Sequence, residues 1–338
     1  MNDRYSRQQL FKQIGSKGQE NIRHKHVLVV GAGALGSAGA EALVRAGIGK
    51  LTIIDRDYVE WSNLQRQQLY DERDAEGQIP KAMAAREHLR QINSEVEIEA
   101  FVMDARPENL EGLLSGIDLI IDGTDNFDIR FILNDLSHKF NIPWIYGSCV
   151  GSYGAAYTVI PGETPCLHCI LKKVPGGGAT CDTAGIIGPA VQIVSAYQVA
   201  EAFKILVGDF SALRKTFLTF DVWNNQHYAI TLEKIRKEDC PTCGAARMYP
   251  YLSYENQTKT EVLCGRNTVQ IRPSRMNEYN FDQLEKRLKA HGTVTRNPYL
   301  LSCQLHNHRL VIFGDGRVFV HGTNDIQLAK NLYYRLLG

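Results

Sequence analysis

The sequence predicts an α/β protein: a Rossmann-like open, mostly parallel sheet with helices on both faces and a four-cysteine zinc site, then a small C-terminal α+β domain. Three observations predict it. Between His26 and Asp55 a short apolar run, a glycine turn, a helical stretch and a second apolar run form one βαβ unit. Two Cys-x-x-Cys pairs, Cys166/Cys169 and Cys240/Cys243, stand far apart in the chain and can close on one ion. After Gly244 the style changes, and short strand-like runs alternate with helix-like ones. The expected division is residues 1–248 for the first domain and 255–338 for the second.

Taken in order, residues 5–24 read as a helical segment with apolar positions at Leu10, Phe11, Ile14 and Ile22. His26–Val30 is a continuous apolar run, as a strand buried on both faces requires. The loop Gly31-Ala32-Gly33-Ala34-Leu35-Gly36 leads into a helix from about Ser37 to Ala46, ended by Gly47. Leu51–Asp55 is the second strand. A helix at Pro80–Ile92, a strand at Glu97–Val102 and a buried strand at Ile117–Gly123 follow. Strands at Pro143–Gly147 and Tyr153–Ile160 complete the sheet, the later ones antiparallel. Three glycines within Lys172–Thr180 mark a mobile loop, and Val191–Leu206 has helical periodicity. Tyr249–Tyr254 reads as a linker. In the tail, strands near Val269, Leu300 and Val311 accompany helices at Phe281–Ala290 and Asp325–Leu337, with a hairpin turn at Asp315-Gly316.

The 338 residues are 44% hydrophobic and 22% charged, with 38 basic against 37 acidic residues and a net charge of +1. That is a globular composition with no basic excess for nucleic acid or for an anionic membrane. The longest apolar stretch, His26–Gly49, is interrupted by glycines, Glu41 and Arg45, and does not read as a membrane span. The polar start Met1–Arg7 has no export core, so a cytoplasmic location is expected. In such a reducing compartment the paired cysteines point to metal or redox chemistry rather than disulfides.

Gly31, Gly33 and Gly36 let the chain turn tightly and approach a phosphate at the positive end of a helix. Alone they are a weak signal, shared by close strand–helix packing and by NAD or FAD binding. Asp55, at the end of the next strand, stands where a carboxylate can hold ribose hydroxyls. Against a dinucleotide weighs the polar cassette that runs from Asp55 to Gln67, Asp55-Arg56-Asp57-Tyr58-Val59-Glu60-Trp61-Ser62-Asn63-Leu64-Gln65-Arg66-Gln67. Asn63 and Arg66 offer donors to phosphates, Arg66 in planar, charge-assisted form. Lys81, at a helix start, adds a second cation. Asp125, with Asn126 beyond it, follows a buried strand and can hold Mg2+ against phosphate oxygens. Each of these alone is more often a solvated surface group. Their joint placement at strand ends describes a pocket for a ribose and a triphosphate, hence ATP.

The x-x spacers let each cysteine pair aim both thiolates at one ion. Four thiolates close a tetrahedral shell with no open position, so the site reads as structural Zn2+, with redox pairs as the alternative. His168, inside the first knuckle, reads as a bystander. Cys181 stands alone between the glycine run and a helix start; a small core residue and a thiol activated by a helix N-terminus both fit it. Cys149, Cys264 and Cys303 read as structural.

Arg4-Tyr5-Ser6-Arg7-Gln8, the glycine loop, Asp55 with Ser62-Asn63-Leu64-Gln65-Arg66-Gln67, Lys81, Asp125-Asn126, both knuckles and Cys181-Asp182-Thr183-Ala184-Gly185 occur in order across residues 1–245. In this the chain resembles the ThiF/MoeB family, relatives of ubiquitin-activating enzymes. It departs at Ala34, where the family often has a second consecutive glycine. The resemblance implies an adenylyltransferase that uses ATP and Mg2+ to activate the C-terminal glycine carboxylate of a ubiquitin-like sulfur carrier, releasing pyrophosphate. It implies that Gly33 and Asp55 hold nucleotide, Ser62–Arg66 and Lys81 hold phosphates, and Asp125 carries Mg2+. Arg7 resembles an arginine that reaches into a neighbouring subunit's site, which implies a homodimer.

The Cys181 segment looks more like the thiamine branch, whose matching cysteine can join covalently to the carrier during sulfur transfer. A ThiS-like carrier in thiamine thiazole biosynthesis is therefore expected, with a sulfur-donor protein as a further partner. The alternatives are a MoaD-like carrier in molybdopterin biosynthesis, an NAD-dependent oxidoreductase, and a non-catalytic zinc-bound scaffold. The tail resembles C-terminal extensions of some ThiF-like proteins and lacks a rhodanese-type loop at Cys264, so a partner-binding or packing role is expected.

Overall fold

The computed structural model describes residues 3–171, 184–232, 235–253, 260–263, 267–272 and 279–337. The glycine run 172–180, Cys181 and Cys264 lie outside them. The chain divides into two compact units, residues 1–178 with 186–256, and residues 179–185 with 257–338.

The first unit is built on eight strands: β1 His26–Val30, β2 Lys50–Asp55, β3 Glu97–Val102, β4 Leu119–Asp122, β5 Trp144–Val150, β6 Tyr153–Val159, β7 Thr216–Asp221 and β8 Gln226–Thr231. Their order in the sheet is β3-β2-β1-β4-β5-β6-β7-β8. The first five run parallel and the last three antiparallel. The helices are α1 Ser6–Leu10, α2 Gly15–Arg23, α3 Ala34–Ala46, α4 Glu72–Glu76, α5 Lys81–Ile92, α6 Pro107–Glu111, α7 Phe127–Phe140, α8 Leu167–Leu171 and α9 Gly188–Val207.

Successive residues of β1 point to opposite faces, and both faces are covered. Val27 and Val29 join a core with Leu43, Ile53 and Leu89, while Leu28 and Val30 join one with Ile54, Phe131 and Trp144. That is why β1 reads as an unbroken apolar run. Val30 pairs with Ile54 on one side and Asp122 on the other, so β1, β2 and β4 end level. The chain leaves β1 toward β2 and later returns to its other side as β4. The loops after these three strands therefore meet at the topological switch point, where open α/β sheets bind ligands.

The expected N-terminal helical segment is two helices, parted by a turn in which Ile14 N–H donates to Phe11 O at 2.9 Å. The helix expected from Ser37 begins at Ala34, inside the glycine loop, with Gly33 as its cap. Its first-turn N–H groups thus open onto the loop itself. α9 is long and apolar enough to cross a membrane, yet 56% of that stretch is buried. It lies against β5, β6 and α3, and its buried Gln198 donates to the carbonyls of Asp122 (2.8 Å) and Ile145 (3.2 Å).

The second unit has strands β9 Thr260–Leu263, β10 Thr268–Ile271, β11 Thr293–Arg296, β12 Leu300–Gln304, β13 Arg309–Phe313 and β14 Val318–His321. They form one antiparallel sheet in the order β11-β12-β13-β14-β10-β9. Helices α10 Phe281–Leu288 and α11 Ile326–Leu337 supply Leu284, Leu288, Leu332 and Leu336 to its core, against Val269, Leu301, Leu310 and Val320. The Asp315-Gly316 turn closes the β13–β14 hairpin, with Gly316 at φ 87°.

Candidate active site and cysteine cluster

At the switch point the backbone packs against itself. Gly31 has φ 90°, and a Cβ there would lie 2.7 Å from Gly123 O. A Cβ on Gly36 would run into the Gly31 carbonyl, and one on Gly123 into Gly31 O and the Gly36 backbone. The loops after β1 and β4 can approach this closely only because all three residues lack a side chain. Gly31 N–H donates to Ile54 O and Gly123 N–H to Val30 O, each at 2.8 Å, which continues the strand register into the loops.

Asp55 ends β2 beside this contact. Its Oδ2 accepts the Ala32 N–H and its Oδ1 the Asp57 N–H, both at 2.6 Å. Burial pushes the carboxyl above its ordinary range, while the Lys81 ammonium and the two amide donors pull the other way. The Asp55 side chain therefore shapes the glycine loop directly, and each oxygen keeps a further lone pair for a ligand.

Lys81 is the first residue of α5 and is buried. It is set there by a β-bridge between Tyr58 and Pro80, with Lys81 N–H donating to Asp57 O at 2.9 Å. Its Nζ lies 3.3 Å from Asp57 Oδ2. Tyr70, also buried, closes the group: its hydroxyl lies 2.6 Å from Ala32 O and 3.2 Å from Lys81 O. Asp57 lies within the polar run that follows Asp55, whereas Tyr70 escapes a reading by motif because it belongs to neither the glycine nor the Asn/Arg pattern. The apolar-aromatic pair Leu69-Tyr70 just past the cassette is the signal that could find Tyr70.

After β4, Asp122 is fully buried and paired with Arg130 of α7, Nε to Oδ2 at 3.0 Å. The Asp122 Oδ1 also accepts the hydroxyl and N–H of Thr124, and Arg130 Nη2 donates to the carbonyls of Thr124 (2.7 Å) and Gly147 (3.0 Å). This network fixes the turn that carries Asp125. Asp125 is exposed and accepts no hydrogen bond among the described residues, while Asn126 caps α7 through its Oδ1 to Asp128 N–H at 2.7 Å. The Asp122/Arg130 pair carries no motif of its own; its one signal is an acidic residue closing a buried strand, which calls for a partner.

Within the cassette, Trp61–Asn63 form a single 3-10 turn. Asn63 is buried, and its Oδ1 takes the Glu60 N–H at 3.1 Å. Arg66 turns its Nη1 to Ser62 O at 2.8 Å and is half-buried. Ser62 and Gln65 are exposed, and Leu64 packs on the core. Direct contacts join Gly31, Gly36, Asp55 and Lys81 through Ala32, Asp57 and Tyr70. Arg66 and Asp125 stand on the loops that flank this group.

Arg7 stands apart. It is exposed on α1, one residue past the helix start, and the neighbouring Gln8 donates through Nε2 to Ala46 O at 3.1 Å. Ala46 is the last residue of α3, whose first turn is the glycine loop.

The four knuckle cysteines meet in one buried cluster. Their sulfurs lie within 4.8 Å of one another, with Cys166 to Cys240 and Cys169 to Cys243 each at 3.5 Å. Four sulfurs about 2.3 Å from a central zinc stand roughly 3.8 Å apart, so the donor set and its spacing fit that ion. Hydrogen bonding to Cys169 and Cys243, with burial, pushes the Cys166 thiol up. Helix α7 anchors both knuckles: Asn134 Oδ1 accepts the Leu167 N–H at 2.7 Å, and Asp135 accepts the Thr242 hydroxyl at 2.5 Å and the Tyr251 N–H at 2.9 Å. His168 makes edge contacts with Phe131 and Tyr251 and is not part of the sulfur cluster.

Residues 5–242 match the ThiF family. The chain is 50% identical to the sulfur carrier protein ThiS adenylyltransferase of Bacillus subtilis (strain 168), over 100% of both chains. It is 34% identical to the protein of the same description from Escherichia coli (strain K12), over 74% of this chain and 100% of that one. Among solved structures, E. coli MccB with ATP superposes at a TM-score of 0.63 and 21% identity, over 72% of this chain and 75% of that one, a likeness of fold. The chain belongs to the ThiF family and is an adenylyltransferase. The oxidoreductase and scaffold alternatives give way to that membership.

Proposed function

We propose that this protein adenylates the C-terminal glycine carboxylate of a ThiS-like sulfur carrier, releasing pyrophosphate, in cytoplasmic thiamine thiazole biosynthesis. The observation that carries the choice of carrier is the likeness to the Bacillus subtilis protein, which runs the whole chain, tail included. A carboxylate oxygen attacks the α-phosphorus of ATP, the bond from that phosphorus to the bridging oxygen breaks, and pyrophosphate leaves. Two anions must meet, so the site's task is to neutralise charge.

In this reading the N–H groups at the start of α3, with Gly33, hold phosphate, and Asp55 accepts ribose hydroxyls with its remaining lone pairs. Arg66 and Lys81 face the phosphates. Asp125, beside Asn126, would hold Mg2+, whose charge offsets that of the phosphate oxygens. Cys166, Cys169, Cys240 and Cys243 would hold Zn2+, which braces the fold and takes no part in adenylation. Cys181 serves the later transfer of sulfur.

Arg7 cannot serve its own chain's nucleotide. Its neighbour Gln8 touches Ala46, and the helix between Ala46 and the glycine loop has 13 residues, about 20 Å of length and beyond an arginine's reach. A homodimer in which α1 of one copy meets the other's nucleotide corner resolves this. The exposed Leu10 and Phe11 beside Arg7 offer apolar contact for it. An active protein that sediments as a monomer would rule the arrangement out.

The test is ATP–pyrophosphate exchange with purified ThiS-like and MoaD-like carriers, each intact or lacking its terminal glycine. Exchange is expected with the intact ThiS-like carrier only, and Cys181→Ser should retain it. Exchange with the MoaD-like carrier alone would move the reaction to molybdopterin synthesis. No exchange with either would end the proposal.

A further inference from the structure

Tyr70 is buried, and its hydroxyl has one proton for two carbonyls, Ala32 O at 2.6 Å and Lys81 O at 3.2 Å. The shorter contact takes the proton. Burial, with the charges of Asp55 and Asp74 nearby, pushes this phenol well above its usual range, so it remains a donor at working pH. Ala32 is thereby held twice, its N–H by Asp55 Oδ2 and its carbonyl by Tyr70.

The chain has no cis peptide bonds among the described residues. In a planar trans peptide the N–H points opposite to the C=O. With the Ala32 carbonyl turned toward the phenol, the Gly33 N–H is turned away from it. That N–H makes no hydrogen bond among the described residues. Gly33 caps α3, so its amide stands at the positive end of a 13-residue helix.

We infer that Tyr70 is the positioning residue of the phosphate loop: by holding the Ala32 carbonyl it aims the Gly33 N–H at a nucleotide phosphate. The inference rests on the ATP-binding reading above. Tyr70 touches no nucleotide; it acts through one peptide plane. A hydrogen bond that holds phosphate equally in the ground and transition states changes KM and leaves kcat alone.

The experiment compares wild-type protein with Tyr70→Phe, which removes one oxygen and keeps the ring in the core. KM for ATP and kcat are read by pyrophosphate exchange, and the binding of ATP and of adenosine by calorimetry. KM for ATP is expected to rise roughly tenfold, the size of one well-placed hydrogen bond, with kcat and the KM for the carrier within about twofold. Adenosine, which has no phosphate, should bind both proteins equally. A variant whose KM for ATP matches wild type overturns the inference, as does equal weakening of ATP and adenosine, which would mean general loosening. Should wild-type protein itself fail to bind ATP, the adenylation reading falls and takes this one with it; wild-type binding with an unaltered variant removes Tyr70's role alone.

Discussion

The glycine-loop corner, where we place the nucleotide, and the cysteine corner of the first unit are built by opposite means. At the ends of β1, β2 and β4 the shape is set by main chain: Gly31, Gly36 and Gly123 touch where no Cβ fits, and Asp55 and Tyr70 grip the peptide of Ala32. The result is a loop whose Gly33 N–H is left without a partner among the described residues. At the cysteine corner the shape is set by side chains converging from distant segments, and the site is closed. One helix serves both. The first turns of α7 bring Arg130 to Asp122, and its middle brings Asn134 and Asp135 to the knuckles. A binding site can be made by excluding side chains, whereas a structural joint needs them.

Metal removal should break the comparison most visibly if it is wrong. A structural zinc contributes its binding free energy to folding, several kcal/mol or more. For a unit of this size each kcal/mol moves the melting point by about 2–4 °C, so chelation should lower it by more than about 10 °C. Below that melting point the KM for ATP should stay within about twofold of the untreated protein. A rise in KM before unfolding would show that the cysteine corner also shapes the nucleotide site.

The reverse experiment is Gly36→Ala. The added Cβ meets the Gly31 carbonyl, which is backbone and cannot rotate away. The glycine loop must open, with loss of ATP affinity on the order of 100-fold and a stability cost of about 2–3 kcal/mol. Metal content, read by elemental analysis, should remain full. A variant that binds ATP normally would mean that the close approach of these loops is not what makes the site.

The parts legible in the sequence are those whose pattern has one cause. β1 is an apolar run because both its faces are covered, and the knuckles are visible because thiolate pairs need that spacing. Helix α7 is not legible in this way. It buries Arg130, Asn134, Asp135, Ser137 and His138 along with its apolar residues, so no polar face marks its period. β8 hides for the converse reason: an edge strand with all six residues exposed has no buried alternation to show. Of the residues that meet at the switch point, the glycines, Asp55 and Lys81 stand in motifs, but Tyr70 and the Asp122/Arg130 pair do not. Their partners are set by where loops return in space, and spacing along the chain does not record that.

The smallest effect, and the sharpest probe of the cysteine corner, is the titration of Asp135. Burial pushes its carboxyl up to about 6 from 3.8, although Thr242 and Tyr251 donate to it. Because the folded value is raised, the folded chain binds this proton more tightly than the unfolded chain. The group's contribution to stability is therefore whole below the unfolded value and declines as pH rises through the folded one. The full decline amounts to about 3 kcal/mol, of which about 1 kcal/mol falls between pH 5 and 7. Urea unfolding of wild type and Asp135→Asn across that range isolates it, since carboxylates common to both proteins cancel in the difference. The advantage of wild type over the variant should shrink by about 1 kcal/mol from pH 5 to pH 7 and change little above. An advantage that is flat, or that grows with pH, would mean the carboxylate is better stabilised by the Thr242 and Tyr251 donors than its burial allows. The knuckle would then be held by a charge rather than by a neutral hydrogen-bonded acid.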